Sequence, residues 1–281
     1  MKFEFTKMQG CGNDYIFASL FDTCEEIKNR QELAKKLSDR HNGIGSDGLI
    51  FACPSNIADV KMEMYNSDGS IGKMCGNGIR CLAKFVYDKG IIKKDIIEVE
   101  TLSGIKTVIL QKQKGKITGA SVDMGEYTLS PSEIPVNLDG ESVINRKITL
   151  ENRDFFVTCV GTGNPHCVIF AKDFENINIE ETGKLFERSS LFPEGINVEF
   201  VVPKGKNILD MRAFERGSGV TKSCGTGACA SAAAAILLGF CESNAEIKVI
   251  QHEKSLFVKI IDRKMIMSGE AVKVFSGIAE I

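Results

Sequence analysis

One pattern occurs twice in this chain, as Met74-Cys-Gly-Asn-Gly-Ile-Arg-Cys81 and as Ser223-Cys-Gly-Thr-Gly-Ala228. In each copy a cysteine is followed by Gly-x-Gly and then by a helix-forming run. The two cysteines, Cys75 and Cys224, are 149 residues apart (224 − 75). A second pair of landmarks, Gly10-Cys-Gly-Asn13 and Gly161-Thr-Gly-Asn164, ends in asparagines that are 151 residues apart (164 − 13). Two landmarks at nearly the same offset predict the duplication of a unit of about 150 residues.

The order of predicted elements agrees with two similar halves, and 281 residues fit two domains of about 100–200 residues each. Short segments rich in β-branched and aromatic residues predict strands: Phe3–Phe5, Tyr15–Leu20, Leu49–Phe51, Lys61–Tyr65, Ile96–Glu100 and Lys106–Leu110, then Phe155–Val160, Cys167–Phe170, Val198–Val202 and Ile208–Phe214. Helices are predicted at Arg30–Asp39 with Asn29 as its cap, and at Asn77–Asp88, Ile179–Arg188 and Ala228–Leu238. The turn-rich stretch from Met124 to Pro135 predicts the boundary between the halves.

Composition excludes several classes of partner. The formal charge is −2, from 35 basic and 37 acidic residues. This charge does not favour binding to nucleic acid or to an anionic membrane. No apolar run approaches the ~20 residues of a membrane span. The first ten residues lack the apolar core of a signal peptide. These features predict a cytoplasmic protein.

The chain contains ten cysteines, and eight of them can be divided into two groups by their sequence surroundings. In a reducing compartment free thiols are expected rather than disulfides. No C-x-x-C occurs, and the spacings within the two repeated motifs fit no common zinc site, so we predict no metal. The first group has apolar or helical surroundings typical of packing residues: Cys24, Cys53, Cys81, Cys159, Cys229 and Cys241. Cys75 and Cys224 form the second group because each precedes a Gly-rich turn.

A Gly-rich turn that leads into a helix exposes backbone N–H groups at the positive end of the helix dipole, which favours an anion. The same field favours a thiolate, so we expect the pKa of each motif cysteine to fall below its free value of about 8.5. Two such motifs, facing each other, would place two thiols beside one bound carboxylate. Inversion of a carbon α to a carboxylate requires a base on one face and an acid on the other, with similar pKa values. The paired motifs therefore favour this reaction, which requires no cofactor.

Around these motifs the sequence closely resembles the diaminopimelate epimerases, the cofactor-independent two-cysteine epimerases of lysine and peptidoglycan synthesis. The resemblance runs nearly end to end. The matching segments are Gln9–Phe17, Asp39–Ile50, Asn66–Ser70, Met74–Cys81, Gly163–His166, Gly195–Phe200, Glu215–Gly219 and Ser223–Ala228.

The resemblance implies a role for each matched residue. Cys75 and Cys224 would be the paired acid and base that interconvert LL- and meso-2,6-diaminopimelate, assisted by His166 and Glu215. Four residues would bind the reacting carboxylate: Gly76, Asn77, Gly225 and Thr226. The distal amino-acid end of the substrate would contact Asn13, Asn66, Asn164, Asn197, Glu215 and Arg216. Arg216 can fork onto a carboxylate and Glu215 can accept from an ammonium group.

The resemblance also implies a fold. It is α+β, with two pseudo-symmetric domains, each a curved and mainly antiparallel sheet around a central helix, and with the active site in the cleft between them. The domains would span 1–122 and 123–269, and a last strand within 270–281 would complete the first. The family is often dimeric, and the region near Phe275 is the expected contact of a homodimer. One departure is Gly48, where some members carry a glutamine that touches substrate.

Two other functions remain open at this stage. A proline or hydroxyproline racemase has related cysteine motifs, but its substrate has no distal carboxylate for Arg216 to bind. A thiol redox or anion-binding protein could use Cys75 and Cys224 without epimerisation, although the absence of C-x-x-C argues against a disulfide oxidoreductase.

Overall fold

The structure is a computed structural model that describes residues 2–21 and 27–280. Its backbone contacts divide the chain into two compact units. The first unit comprises Met1–Asp123 together with Ser268–Ile281, and the second comprises Met124–Met267. Cys24, predicted as a packing residue, lies outside the described residues.

A sheet of mixed direction forms the frame of the first unit. Its strands are β1 (Lys2–Gly10), β2 (Asn13–Ser19), β3 (Gly48–Cys53), β4 (Val60–Asn66), β5 (Ile71–Gly72), β6 (Ile96–Thr101), β7 (Gly104–Gln113), β8 (Lys116–Glu126) and the C-terminal β18 (Val272–Glu280). Pairing is antiparallel for β18–β1, β1–β2, β3–β4, β4–β5, β6–β7 and β7–β8. It is parallel for β2–β3 and β4–β6.

The second unit repeats this arrangement. Its strands are β9 (Arg146–Leu150), β10 (Arg153–Gly161), β11 (Pro165–Phe170), β12 (Asn197–Gly205), β13 (Ile208–Glu215), β14 (Gly219–Thr221), β15 (Glu246–Gln251), β16 (Lys254–Ile261) and β17 (Lys264–Glu270). Pairing is antiparallel for β9–β10, β10–β11, β12–β13, β13–β14 and β15–β16. It is parallel for β11–β12 and β13–β15. Strands β10 to β16 thus repeat the pairing of β1 to β7, which confirms the predicted duplication.

Each unit has one helix packed against many of its own strands. Helix α2 (Gly76–Asp88) contacts β1, β2, β3, β6 and β7, and helix α4 (Gly225–Leu237) contacts β10 to β13, β15 and β16. The sequence explains α4 directly, because its alanine-rich run lacks charge and is buried from Gly227 to Ala235. Gly90 and Gly239, both at positive φ, follow these helices as predicted.

The two shorter helices occupy matching places. Helix α1 is Arg30–Ser38 and helix α3 is Ile179–Glu187. The side chain of Asn29 accepts a hydrogen bond from the N–H of Glu32, which confirms the predicted cap. Among the described residues, no helix is both long and apolar enough for a transmembrane segment.

Candidate active site

Cys75 begins the central helix of the first unit. Its extended backbone (φ −130°, ψ 120°) makes it the N-cap of α2, and its Sγ accepts a hydrogen bond from the N–H of Gly78 at 3.4 Å. The hydroxyl of Tyr15, on β2, donates to the same sulfur at 3.5 Å. The thiol is half-buried. It therefore lies where the free N–H groups of the helix terminus are concentrated.

The residues around this helix start form an asparagine chain. The amide nitrogen of Asn77 donates to Oδ1 of Asn13 at 2.5 Å, and the amide nitrogen of Asn13 donates to Asp47 at 3.3 Å. Asn66, at the end of β4, donates to Ser70. Strand pairing and the start of α2 thus bring Cys75, Gly76, Asn77 and Asn13 together, although Asn13 was predicted to contact the distal end of the substrate.

Gly48 lies between Tyr15 on β2 and Asn66 on β4. A Cβ added at this position would lie 2.2 Å from the carbonyl oxygen of Tyr65, so this backbone accommodates only glycine. The substrate contact that the resemblance assigns to a glutamine in some members therefore cannot be made by the side chain at position 48.

Arg80 is a buried cation behind the helix start and was not among the predicted site residues. It is fully buried and donates to the carbonyl of Gly76 at 3.0 Å and to Oδ1 of Asn77 at 2.7 Å. Its Nε has no hydrogen-bond partner among the described residues. The guanidinium therefore fixes Gly76 and Asn77, two of the four residues that were predicted to bind the carboxylate.

Cys224 begins the central helix of the second unit with nearly the same geometry. It is the N-cap of α4 (φ −125°, ψ 112°), and its Sγ accepts from the N–H of Gly227 at 3.3 Å and lies 3.5 Å from Oγ1 of Thr226. The buried side chain of Gln251, at the end of β15, accepts from the Cys224 N–H at 2.7 Å and donates to its carbonyl at 3.3 Å. Gln251 thus holds the backbone of Cys224 from both sides, a role that sequence reasoning missed.

The expected fall in pKa is wrong for Cys224. Burial raises the pKa of this thiol well above its ordinary value, and the nearby carboxyl groups of Glu215 and Glu199 raise it further. Hydrogen bonds from Thr226 and the Gly227 N–H act in the opposite direction but are outweighed. The helix field considered in the sequence analysis is present, but burial, which the sequence does not reveal, is the larger effect.

His166 belongs to a buried row of polar groups. Its Nδ1 lies 2.7 Å from Oε1 of Glu199, and its Nε2 lies 3.0 Å from Oδ1 of Asn164. His166 and Glu199 are both fully buried. Sequence reasoning found His166 and Asn164 but gave Glu199 no role. The sequence signal for Glu199 was its charge within the apolar run Val198–Val202, at a position that the duplication aligns with Ile50 (199 − 50 is again 149).

The remaining predicted residues, Asn197, Glu215 and Arg216, gather at the adjoining ends of β12 and β13. Asn197 donates to the Pro165 carbonyl at 2.9 Å and accepts from the Arg216 N–H at 2.9 Å, so both ends of its amide bind backbone. Glu215 accepts from the hydroxyl of Thr221 at 2.5 Å. Arg216 is exposed, and its guanidinium donates to the carbonyl of Glu194 at 2.8 Å. Asn197 therefore supports the Arg216 backbone instead of presenting a free amide.

The chemistry available in each unit is the same. A thiol lies at the N-terminus of a buried helix, where N–H groups can bind a carboxylate and stabilise negative charge that develops on it. The polar groups beside the two thiols differ, since Tyr15 lies beside Cys75 whereas Glu199 and Glu215 lie near Cys224.

Comparisons with known proteins agree with this arrangement. The family model described as diaminopimelate epimerase matches residues 5–130 and 158–274. The diaminopimelate epimerase of Acetivibrio thermocellus is 47% identical over 274 residues, covering 98% of this chain and 97% of that protein. The diaminopimelate epimerase of Methanococcus maripaludis is 44% identical, covering 99% and 100%. In fold the chain is also similar to a PhzF-family phenazine biosynthesis protein from Bacillus anthracis, with a TM-score of 0.71 at 16% identity and full coverage of both chains.

Proposed function

Because the chain belongs to the diaminopimelate epimerase family, we propose that it interconverts LL- and meso-2,6-diaminopimelate in lysine and peptidoglycan precursor synthesis. The observation that carries this proposal is the pair of helix starts at Cys75 and Cys224. Each has a thiol as N-cap and glycine at the first and third helical positions. The protein is an isomerase acting on a small-molecule substrate.

The reaction needs one acid and one base. In one direction the thiolate of one cysteine removes the α-proton while the thiol of the other donates a proton to the opposite face of the same carbon, and the two exchange roles in reverse. The N–H groups at the starts of α2 and α4 stabilise the negative charge that spreads onto the α-carboxylate as the proton leaves. The raised pKa of Cys224 assigns it the thiol form in the resting protein and makes its thiolate, once formed, a stronger base.

Substrate selection depends on the end that does not react. We assign the distal amino-acid group to Asn13, Asn66, Asn164, Glu215 and Arg216, with Asn197 acting through the Arg216 backbone. Arg216 supplies a planar donor pair for a carboxylate and Glu215 an acceptor for an ammonium group. A substrate without that end cannot make these contacts, which is a basis for discrimination against it.

We further propose that the protein acts in the cytoplasm as a homodimer through β18. This strand pairs with β1, and it exposes apolar side chains at Val274, Phe275 and Ile278. Exposed apolar residues gathered on one strand are typical of a surface that another chain covers. Sedimentation of the wild type and of Phe275→Glu tests this proposal, which requires a dimer for the first and a monomer for the second.

The function is tested by incubating the reduced protein with LL-diaminopimelate and separately with L-proline. Formation of meso-diaminopimelate, with no change in proline, supports the proposal. Inversion of proline without inversion of diaminopimelate would replace it with the racemase alternative.

A further inference from the structure

Strand pairing places a histidine and a glutamate side by side in the interior of the second unit. His166 on β11 is opposite Asn197 on the parallel strand β12, and Glu199 follows two residues later on the same face of the sheet. Nδ1 of His166 lies 2.7 Å from Oε1 of Glu199, and both side chains are fully buried. The second carboxylate oxygen, Oε2, has no hydrogen-bond partner among the described residues.

The proton content of this pair follows from its surroundings. The titratable groups that interact electrostatically with Glu199 are His166 on β11, Cys167 on the same strand, Glu215 on β13 and Cys224 before α4. Three of these four are acids, and burial raises the pKa of Glu199 against the lowering by His166. An ionised carboxylate with one bare oxygen and a neutral histidine would leave an uncompensated buried charge, which is costly. A net-neutral pair holds one proton between Nδ1 and Oε1 and a second proton on Nε2.

A proton on Nε2 determines how Asn164 is oriented. Nε2 lies 3.0 Å from Oδ1 of Asn164, and the hydroxyl of Thr162 donates to the same oxygen at 3.4 Å. With Nε2 as a donor, the Asn164 amide must direct its oxygen towards His166 and Thr162. Its NH2 group then has no hydrogen-bonded acceptor among residues 2–21 and 27–280, and it remains a free donor.

We propose that Glu199 is a positioning residue that keeps His166 as an Nε2 donor, so that His166 fixes Asn164 with its NH2 group turned towards a substrate carboxylate. The substrate's identity rests on the proposed function, whereas the protonation of His166 does not. The first unit has no such row, because Tyr15 and Ile50 occupy the matching positions (166 − 15 is 151, 199 − 50 is 149).

The proton on Nε2 can be observed directly. In protein labelled with 15N in the histidine rings, the NMR spectrum contains three sets of ring signals, from His41, His166 and His252. The set that disappears in His166→Gln belongs to the buried ring. We expect Nε2 of His166 to carry a proton in the folded protein. A ring protonated on Nδ1 alone, with Nε2 bare, would overturn the proposal, because Asn164 would then have to present its NH2 group to the ring.

Substitutions at Glu199 supply the second readout. In Glu199→Gln the amide can donate to Nδ1 and keep the Nε2 proton, so KM for diaminopimelate should stay within about threefold of the wild type. Glu199→Met removes any partner of Nδ1, so Asn164 is no longer held in its orientation. KM should then rise at least about tenfold, because a well-oriented hydrogen bond from Asn164 to the charged substrate carboxylate is lost. Equal KM values for the two variants would contradict the proposal. If Glu199→Met does not fold, the 15N spectrum of His166 and the KM of Glu199→Gln still test the proposal.

Asn164→Asp completes the series. It keeps an oxygen facing His166 and removes the NH2 donor, so KM should rise at least about tenfold with the Nε2 proton retained. A KM equal to the wild type would overturn the proposal. Ile169→Val, a small core truncation further along β11, controls for packing loss in that strand and should leave KM unchanged. Failure of all variants and the wild type to epimerise diaminopimelate would remove the proposed function alone, since the nitrogen spectrum does not depend on substrate.

Discussion

The two units have nearly the same backbone and thiol placement but different polar surroundings. Cys75 and Cys224 are both N-caps with β-region dihedrals, and each accepts from the third N–H of its helix. Cys75 is half-buried beside a tyrosine, whereas Cys224 is buried near two carboxyl groups. The two units therefore share a helix start capped by a thiol, whereas the polar groups around that thiol differ.

The largest effect is expected from removal of either thiol. Cys75→Ala and Cys224→Ala should each reduce the rate of diaminopimelate inversion at least about a hundredfold, because each removes one of two proton-transfer groups. Cys241→Ala, which removes a buried thiol of the second unit outside both motifs, is the matched control and should keep its activity. Inversion at wild-type rate in either motif variant would show that the two units are not partners in the reaction.

Alkylation compares the two thiols in the unmodified protein. Only thiolates react readily with iodoacetamide. Burial, Glu215 and Glu199 raise the pKa of Cys224, so its thiolate fraction at neutral pH is low. Cys75 should be labelled at least about tenfold faster than Cys224 in peptide mass spectra taken over time. Faster labelling of Cys224 would contradict the assignment of its resting thiol form.

The third glycine of each motif gives a comparison of stability. A Cβ at Gly227 would lie 2.6 Å from Oε1 of Glu199, which is held by His166, whereas a Cβ at Gly78 would lie 2.7 Å from the terminal methyl of Ile50. The methyl group can rotate away, but the carboxylate cannot do so without leaving its partner. Gly227→Ala should therefore lower the free energy of unfolding by about 1–3 kcal/mol, and Gly78→Ala by less. Urea unfolding measures both, and a larger loss for Gly78→Ala would contradict this account.

The smallest effect concerns an acidic residue that only the first unit has. Burial opposes ionisation of Asp14, but hydrogen bonds from Arg40 and Lys7 outweigh it and lower its pKa. Its contribution is therefore present above the unfolded pKa of about 3.9 and is lost as the pH falls through the lower folded pKa. The second unit has Pro165 at this place (165 − 14 is 151). Urea unfolding is measured at pH 6 and at decreasing pH below it. As Asp14 becomes protonated, the free energy of unfolding of the wild type should fall by no more than about 1 kcal/mol relative to that of Asp14→Asn.

Much of the fold could be predicted from local sequence. The cysteine motifs, the alanine-rich run and the following glycines located α2 and α4, and the asparagine cap located α1. Strands β15 and β16 were missed although Glu246–Gln251 and Lys254–Ile261 alternate between buried and exposed residues. The turn between them is His252 and Glu253, with His252 at positive φ, and it lacks the glycine that would have indicated a hairpin.

The candidate site could be located from the sequence, but the charges around it could not. Cys75 and Cys224 follow from the repeated motif, whereas Asn77 and Thr226 were added by the resemblance to the family. Glu199 stands in an otherwise apolar strand, and only the parallel pairing of β11 with β12 brings it to His166. The raised pKa of Cys224 likewise depends on burial and on carboxyl groups from other strands. Both are tertiary relations, which a local motif does not contain.

The central claim is that the two thiols act on one α-carbon as acid and base, and proton exchange with solvent tests it most directly. Reduced protein is incubated with LL-diaminopimelate in D2O, and the meso product is analysed for deuterium. Two thiols with separate protons predict one deuterium at the inverted α-carbon of each product molecule and little in the remaining substrate at early times. Meso product without deuterium would mean that a single group returns the same proton to the opposite face, and the two-thiol account would be wrong.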